Sequence, residues 1–292
     1  MKVLIVGATG MLGYSLFCNL SDVEYLDVYG TVRSIYNKKI FFENYDEHIF
    51  EGVDAYDLET LGIIIKKIAP AVVINCIGLI KQHDISKNHV DSVTINSLLP
   101  HKLASLCDAN SCKLIHFSTD CVFDGSKGLY TEDEYPDAQD LYGLSKRLGE
   151  IDYFPHLTLR TSIIGLELNS SVSLVDWFLS QEEEVKGFSN AIFSGLPTCL
   201  IAQLLIDNIL PKQDLSGLYH LSTDPIDKFT LLNFIAEVYK KNIIITESKD
   251  VIVDRSLNSE RLHDILYWDH ESWKVMISKM HADFIKRYKG YR

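Results

Sequence analysis

The chain has 292 residues, 47% of them hydrophobic and 23% charged, enough to bury a large core and too apolar for long disorder. A formal net charge of −12 repels a phosphate polymer and argues against nucleic-acid binding, while leaving room for a small phosphate ligand held by local groups. Its six cysteines form no C-x-x-C pair and no zinc-type spacing with histidine, so no metal and a reduced, cytoplasmic setting are expected.

Lys2–Val6 is a continuous apolar run ending at Gly7, which predicts a buried parallel strand followed by a helix from about Gly10 to Leu20. The opening residues lack the long apolar region of a signal peptide, and no apolar stretch reaches the roughly 20 residues that span a bilayer. Further strands are predicted over Glu24–Val32, Ile49–Val53, residues 71–78, 113–119 and 157–165. Helices are predicted over Leu58–Ala69, Asp91–Asn110 and Leu141–Tyr153, with a kink or break at Pro100. Solid apolar strands alternating with helices predict an α/β fold, a doubly wound parallel sheet of the Rossmann type. Beyond Gly165 the pattern turns mostly helical, over 172–184, 199–210, 229–240 and the last thirty residues, with short strands at 217–222 and 243–246. The expected division is a dinucleotide-binding domain over 1–165, joined by a returning segment near 199–223. A smaller α+β substrate-binding region would then be built from 166–198 and 224–292.

The first strand runs directly into Gly7-Ala8-Thr9-Gly10-Met11-Leu12-Gly13. A glycine at the tight turn, another where backbone approaches a pyrophosphate and a third where helix meets strand are what dinucleotide binding requires. The helix N-terminus then presents N–H groups to the phosphates. The expected cofactor residues are therefore Gly7, Thr9, Gly10, Met11, Leu12 and Gly13. To these are added Cys76 and Gly78, at the end of the fourth strand, and Asp54, after the third. Asp54 reads either as an acceptor for the adenine amino group or as a cap for the next helix. At the end of the second strand, where NAD enzymes carry an acid, stands Arg33, so NADPH is expected in preference to NAD; Asp27 could serve NAD if that strand ended early.

Tyr142 and Lys146 stand four apart on one helical face, and an ammonium beside a phenol favours the phenolate. Moving a tyrosine from about 10 toward neutrality requires roughly 4 kcal/mol, which a buried lysine, the positive nicotinamide and exclusion of water together would supply. The fifth strand ends in Ser118-Thr119-Asp120 at the sheet edge where such folds bind ligands, which places the Thr119 hydroxyl to polarise a carbonyl.

The glycine loop, Thr119 and Tyr142-x-x-x-Lys146, in that order, resemble the extended short-chain dehydrogenase/reductases. Ser118-Thr119-Asp120-Cys121-Val122-Phe123-Asp124-Gly125, Tyr130, Glu132, Gly149-Glu150, Leu159-Arg160-Thr161-Ser162 and Gly195-Leu196-Pro197-Thr198 narrow the resemblance to the dTDP-4-dehydrorhamnose reductase family. That resemblance implies reduction, by NAD(P)H, of the 4-keto group of a nucleotide-linked 6-deoxyhexose through the triad Thr119, Tyr142 and Lys146. Cys121 stands where the family usually has an aromatic residue. It also stands where the related 4,6-dehydratases carry their glutamate base, which argues against dehydration. Asp120, Cys121, Phe193 and Arg255 are the expected substrate contacts, with Arg261 and Lys186 as further cations for the pyrophosphate. A nucleotide-sugar epimerase and a non-catalytic NADP-binding regulatory subunit, such as the one in methionine adenosyltransferase, are the alternatives. The expected partner is the nucleotide sugar, with no nucleic acid and no membrane, and homodimerisation is left open.

Overall fold

The computed structural model describes residues 1–80, 88–168 and 172–288. In chain order, β1 (Lys2–Val6), α1 (Met11–Ser21), β2 (Asp27–Val32), β3 (Ile49–Glu51), α2 (Leu58–Ile68) and β4 (Val72–Asn75) make the first half of the fold. A continuous helix then runs as α3 (His89–Ser92), a π-helical stretch (Val93–Leu98) and α4 (Leu99–Ala109). It leads to β5 (Lys113–Thr119), α5 (Leu141–Leu148) and β6 (Leu157–Thr161). The remainder comprises β7 (Ile163–Ile164), α6 (Leu174–Ser180), β8 (Glu184–Phe188), β9 (Ala191–Phe193), β10 (Leu196–Pro197), α7 (Thr198–Leu204) and β11 (Gly217–His220). It ends with β12 (Ile226–Asp227), α8 (Lys228–Tyr239), β13 (Ile244–Ser248), β14 (Val253–Asp254), α9 (Glu260–Leu266) and α10 (Trp273–Arg287).

The main sheet has the order β11-β6-β5-β4-β1-β2-β3, with every described pairing parallel. The strand order reverses between β1 and β4, the crevice at which doubly wound sheets bind ligands. β5 is buried along its whole length, as a central parallel strand covered on both faces must be. One face carries a core built on Val3, Ile5, Phe17 and Ile115; the other carries Leu4, Val6, Ile65, Leu103 and Leu114. The segment returning at residue 217 does join the sheet, as β11 on its outer edge beside β6.

Three sequence expectations change in instructive ways. Pro100 does not break its helix. It lacks the N–H that would bond to the Asn96 carbonyl, and the backbone widens into the π-helical stretch just before it. Gly149 packs against that carbonyl; a Cβ there would lie 2.0 Å from the Asn96 oxygen. The strand expected over 71–78 ends at Asn75, so Cys76 to Gly78 leave the sheet as loop. The run 157–165 divides at Ser162: β6 stays in the main sheet, and β7 pairs instead with β10. The strands β9, β10, β12 and β14 have two or three residues each, too few to show a period, and β8 follows a helix that ends at Ser180 rather than at 184.

Around the carboxyl edge, β12, β9 and β14 form a three-stranded sheet, and β13 pairs in parallel with β8. The C-terminal helix reaches from these elements back to the first helix of the chain. α10 packs against α7 and α8, Tyr14 of α1 donates to the Arg287 carbonyl at 2.9 Å, and Arg287 pairs with Asp22 and Asp283. Residues 289–292 of the predicted terminal helix lie outside the described residues.

Candidate active site

Gly7, Gly10 and Gly13 are required for three different reasons. Gly7 has φ +93°, the left-handed region in which a side chain is strained. A Cβ on Gly13 would stand 2.1 Å from the Gly7 carbonyl oxygen, so only glycine lets α1 seat on the β1 turn. A Cβ on Gly10 would meet nothing nearer than 3.7 Å, which leaves open space over the loop where a pyrophosphate would lie. Gly10 caps α1 without a side chain, and no acid stands in the first turn, so the positive end of the helix faces that space unopposed. These residues fit a dinucleotide. Thr9 and Met11 are partly exposed along it, with the Met11 side chain near Gly165 and Thr198. The Leu12 side chain is buried in the core, so only its backbone faces a ligand.

Ile77 covers Gly7, and Gly78 follows it at the mouth of the crevice; a Cβ on Gly78 would lie 3.8 Å from Lys146 Nζ. The glycine loop and the Tyr142–Lys146 helix are thus joined across the ends of β1 and β4. The Cys76 N–H bonds the Val6 carbonyl at 2.9 Å, and burial pushes its thiol up.

At the cofactor's other end, β2 begins at Asp27 and runs to Val32. Asp27 therefore sits at the amino edge, bonded by the Tyr29 hydroxyl and close to His48, which overturns its possible role toward NAD. Arg33 emerges at the carboxyl edge, exposed. Lys38, which the sequence reading passed over, lies beside it: burial and then the Arg33 charge push its ammonium down, and Glu167 pushes it up. Asp54 does not cap the next helix. Asp57 does, accepting from the Thr60 N–H at 3.0 Å, while Asp54 accepts from the Tyr56 N–H.

The triad converges at the carboxyl end of β5. Thr119 is its last residue; its hydroxyl accepts from the Cys121 N–H and donates to Asp120 Oδ1, both at 3.1 Å, and hydrogen-bonds the Tyr142 phenol. Asp140 caps α5 and so sets the face on which Tyr142 and Lys146 project. Lys146 is buried and donates from Nζ to the Phe117 carbonyl at 2.7 Å. Burial brings it down to about 8, against the pull of Glu150. Among the protein's own groups, burial first and then Cys121, Asp120 and Asp140 push the Tyr142 phenol up, and the Thr119 bond lowers it; the nicotinamide charge that the expectation includes is not one of them. Lys146 is anchored to the main chain of β5.

Several residues that support the site were invisible as site residues in sequence. The Asn96 amide, on the π-helical stretch, accepts from the Leu79 N–H at 2.8 Å and donates to the Leu79 carbonyl and to Ser145 Oγ. Ser145 in turn donates to the Tyr142 carbonyl at 3.0 Å. Glu150 joins Ser118 on β5 to Arg160 on β6 in a buried ion pair of 2.7 Å. Arg160 reaches His220 on β11 and lies over the Phe123 ring, itself stacked on Tyr130 at 4.2 Å. Glu132 accepts from the His220 N–H. The segments that carry the family resemblance are, in large part, this brace behind the triad.

The expected substrate contacts divide. Asp120 is buried beside Thr119, and burial pushes its carboxyl up; Cys121 adjoins Tyr142. Arg255 acts on Asp120 through its charge, while its Nε and one terminal nitrogen hold the Phe123 and Asp124 carbonyls at 2.8 and 2.9 Å. Phe193 is a core residue, packed on Trp273 with ring centroids 5.7 Å apart. Lys186 pairs with Asp250 on the surface, and Arg261 with Glu132 and Asp133, so neither is a reserved cation. Among the described residues no cluster of His, Cys, Asp or Glu could hold a metal, and no helix is long and apolar enough to cross a membrane.

Residues 1–252 match the family model described as the RmlD substrate binding domain. The chain is 24% identical to methionine adenosyltransferase 2 subunit beta of Danio rerio, over 82% of this chain and 74% of that protein. It is similar in structure to a hypothetical dTDP-4-dehydrorhamnose reductase from Sulfolobus tokodaii, with TM-score 0.75 and 26% identity, covering 94% of this chain and 98% of the other. A dTDP-4-dehydrorhamnose reductase from Bacillus anthracis, solved in complex with NADP, gives TM-score 0.77 at 22% identity, covering 97% and 98%.

Proposed function

The chain belongs to the RmlD substrate-binding domain family, and from that membership we propose that it reduces the 4-keto group of a nucleotide-linked 6-deoxyhexose with NADPH. The observation that carries this reading is the convergence of Thr119, Tyr142 and Lys146 beside the open face of the Gly7–Gly13 loop. When bound, the nicotinamide supplies the hydride and a positive charge. Thr119 orients the substrate carbonyl, Tyr142 donates its proton to the oxygen, and the buried Lys146 holds the ribose and the charge balance. A phenol pushed up in the free protein is suited to be the acid rather than the base in such a reduction. Arg33 and Lys38 together favour the 2′-phosphate of NADPH over NADH.

The division into a dinucleotide-binding domain (1–165 with 199–223) and a substrate-binding region (166–198 with 224–292) is part of the same proposal, with α10 strapping the two together. The protein is assigned to the cytoplasm. A homodimer is proposed through the helical face on which Val90, Val93, Leu98, Leu144 and Leu148 are exposed. Light scattering that returns the monomer mass at micromolar concentration rejects it.

The deciding assay follows NADPH oxidation with a panel of dTDP-, UDP- and GDP-linked 4-keto-6-deoxysugars. Turnover of at least one, with kcat/KM for NADPH above that for NADH, is the expected result. The likeness to a regulatory subunit of methionine adenosyltransferase favours one second reading. Tight NADPH binding with no turnover on any sugar would move the assignment to it.

A further inference from the structure

At the opposite edge of the sheet from the triad, α4 ends in a tight reversal into β5. The Cys112 N–H bonds the Cys107 carbonyl at 3.0 Å, the Ser111 N–H bonds the Asp108 carbonyl at 3.2 Å, and Ser111 takes φ +54°. This pair of bonds around a left-handed residue is a Schellman motif, which brings the side chains on either side of the cap into contact. In most proteins two apolar side chains meet there. Here they are two free thiols, Cys107 and Cys112, and they hydrogen-bond each other. Cys107 is fully buried. Cys112 lines a cavity of about 420 Å³ together with Asp108, Ser111 and Lys113.

We propose that Cys107 and Cys112 form a reversible dithiol–disulfide site that takes a small disulfide as its oxidant, with Cys112 attacking and Cys107 resolving. The Cys112 thiolate attacks one sulfur of the small disulfide and expels the other as a thiol. Cys107 then attacks Cys112 Sγ and expels the second thiol. Two protein thiols lose their hydrogens and one disulfide is reduced to two thiols. The second step is internal, so a buried Cys107 needs no access of its own. The roles follow access, since Cys112 meets the cavity and Cys107 lies behind it, and the shared hydrogen bond acts in the same sense by pulling the Cys112 thiol down. Burial pushes Cys18 up to about 11 and Cys199 up to about 12. The bond closes a very short loop, so it removes little chain entropy and belongs with labile disulfides rather than structural ones.

The test incubates the folded protein with glutathione disulfide, then unfolds it in urea with N-ethylmaleimide to trap every remaining thiol, and maps the peptides by mass spectrometry. The expected product is a Cys107–Cys112 cross-link that dithiothreitol reverses, with Cys18 and Cys199 alkylated. Cys107→Ser should accumulate glutathione on Cys112, and Cys112→Ser should leave Cys107 unmodified. Full alkylation of both cysteines in the wild-type protein, under conditions that oxidise free dithiothreitol, overturns the proposal without recourse to any variant. Glutathione on Cys107 in Cys112→Ser overturns the assignment of roles.

Discussion

Burial acts on Tyr142 and Lys146 in opposite senses, and each shift can be measured. Tyr142→Phe removes the proton donor and leaves the ring packing intact; kcat should fall by roughly 10²–10⁴-fold while the NADPH Kd stays near its wild-type value. A kcat within about threefold of wild type would take the proton transfer away from Tyr142. For Lys146, the ordinary 10.5 drops to about 8 in the fold. Between those values the unfolded chain binds more protons than the folded one, so stability rises with pH across that window, and the gain is lost as pH falls through 8. At about 1.4 kcal/mol per unit this is roughly 3 kcal/mol. Urea unfolding of the wild type and of Lys146→Met, compared from about pH 7 to pH 10, should show the difference in stability shift in favour of the wild type by that order. A level difference would place the ammonium in water.

The same physics sorts the glycines and the brace at the scale of elements. Gly13→Ala drives a Cβ into the Gly7 carbonyl and must displace α1 from β1, at a cost of about 1–3 kcal/mol or more. Gly10→Ala meets open space, so its melting temperature should stay close to wild type while its NADPH Kd rises tenfold or more. Equal loss of stability in the two variants would refute the distinction between a packing glycine and a ligand-approach glycine. Behind the triad, Arg160→Met leaves the Glu150 carboxylate buried without its partner between β5 and β6, and about 3–5 kcal/mol of stability should go. The double variant Arg160→Met/Glu150→Leu should recover part of it, because an apolar pair carries no desolvation cost. Denaturant midpoints read both effects.

For the whole molecule the decisive contact is the return of the chain's end to its beginning. α10 buries Met276 and Ile277 completely, Trp273 donates to the Asp224 carbonyl at 2.8 Å, and Arg287 sits between Asp22 and Asp283. Each buried apolar side chain contributes about 1.5–3 kcal/mol, so the helix carries a share comparable with the whole stability of a domain. Truncation after residue 272 should abolish the cooperative urea transition and the near-ultraviolet circular dichroism. A truncated chain that still melts cooperatively and binds NADPH would show the dinucleotide half to be independent of its strap.

The alternation of strands and helices through β6, the glycine loop and the placing of Thr119, Tyr142 and Lys146 at a strand end and on one helix were legible in the sequence. Each rests on a local quantity: a solid apolar run between glycines, a spacing of three or four, a motif set at a strand's end. The support of Asn96 and the Glu150–Arg160–His220 brace were not, because their partners lie far away along the chain and have no periodicity to betray them. Phe193 and Arg255 show the limit from the other side. Their residue types suit a sugar nucleotide, yet Trp273 and the carbonyls of Phe123 and Asp124 claim them first. The sequence by itself determined where along the chain Thr119, Tyr142 and Lys146, the groups proposed to carry the chemistry, stand. Tertiary structure alone decided their neighbours and how far burial shifts them, since desolvation and hydrogen bonding depend on how completely distant segments close around each group.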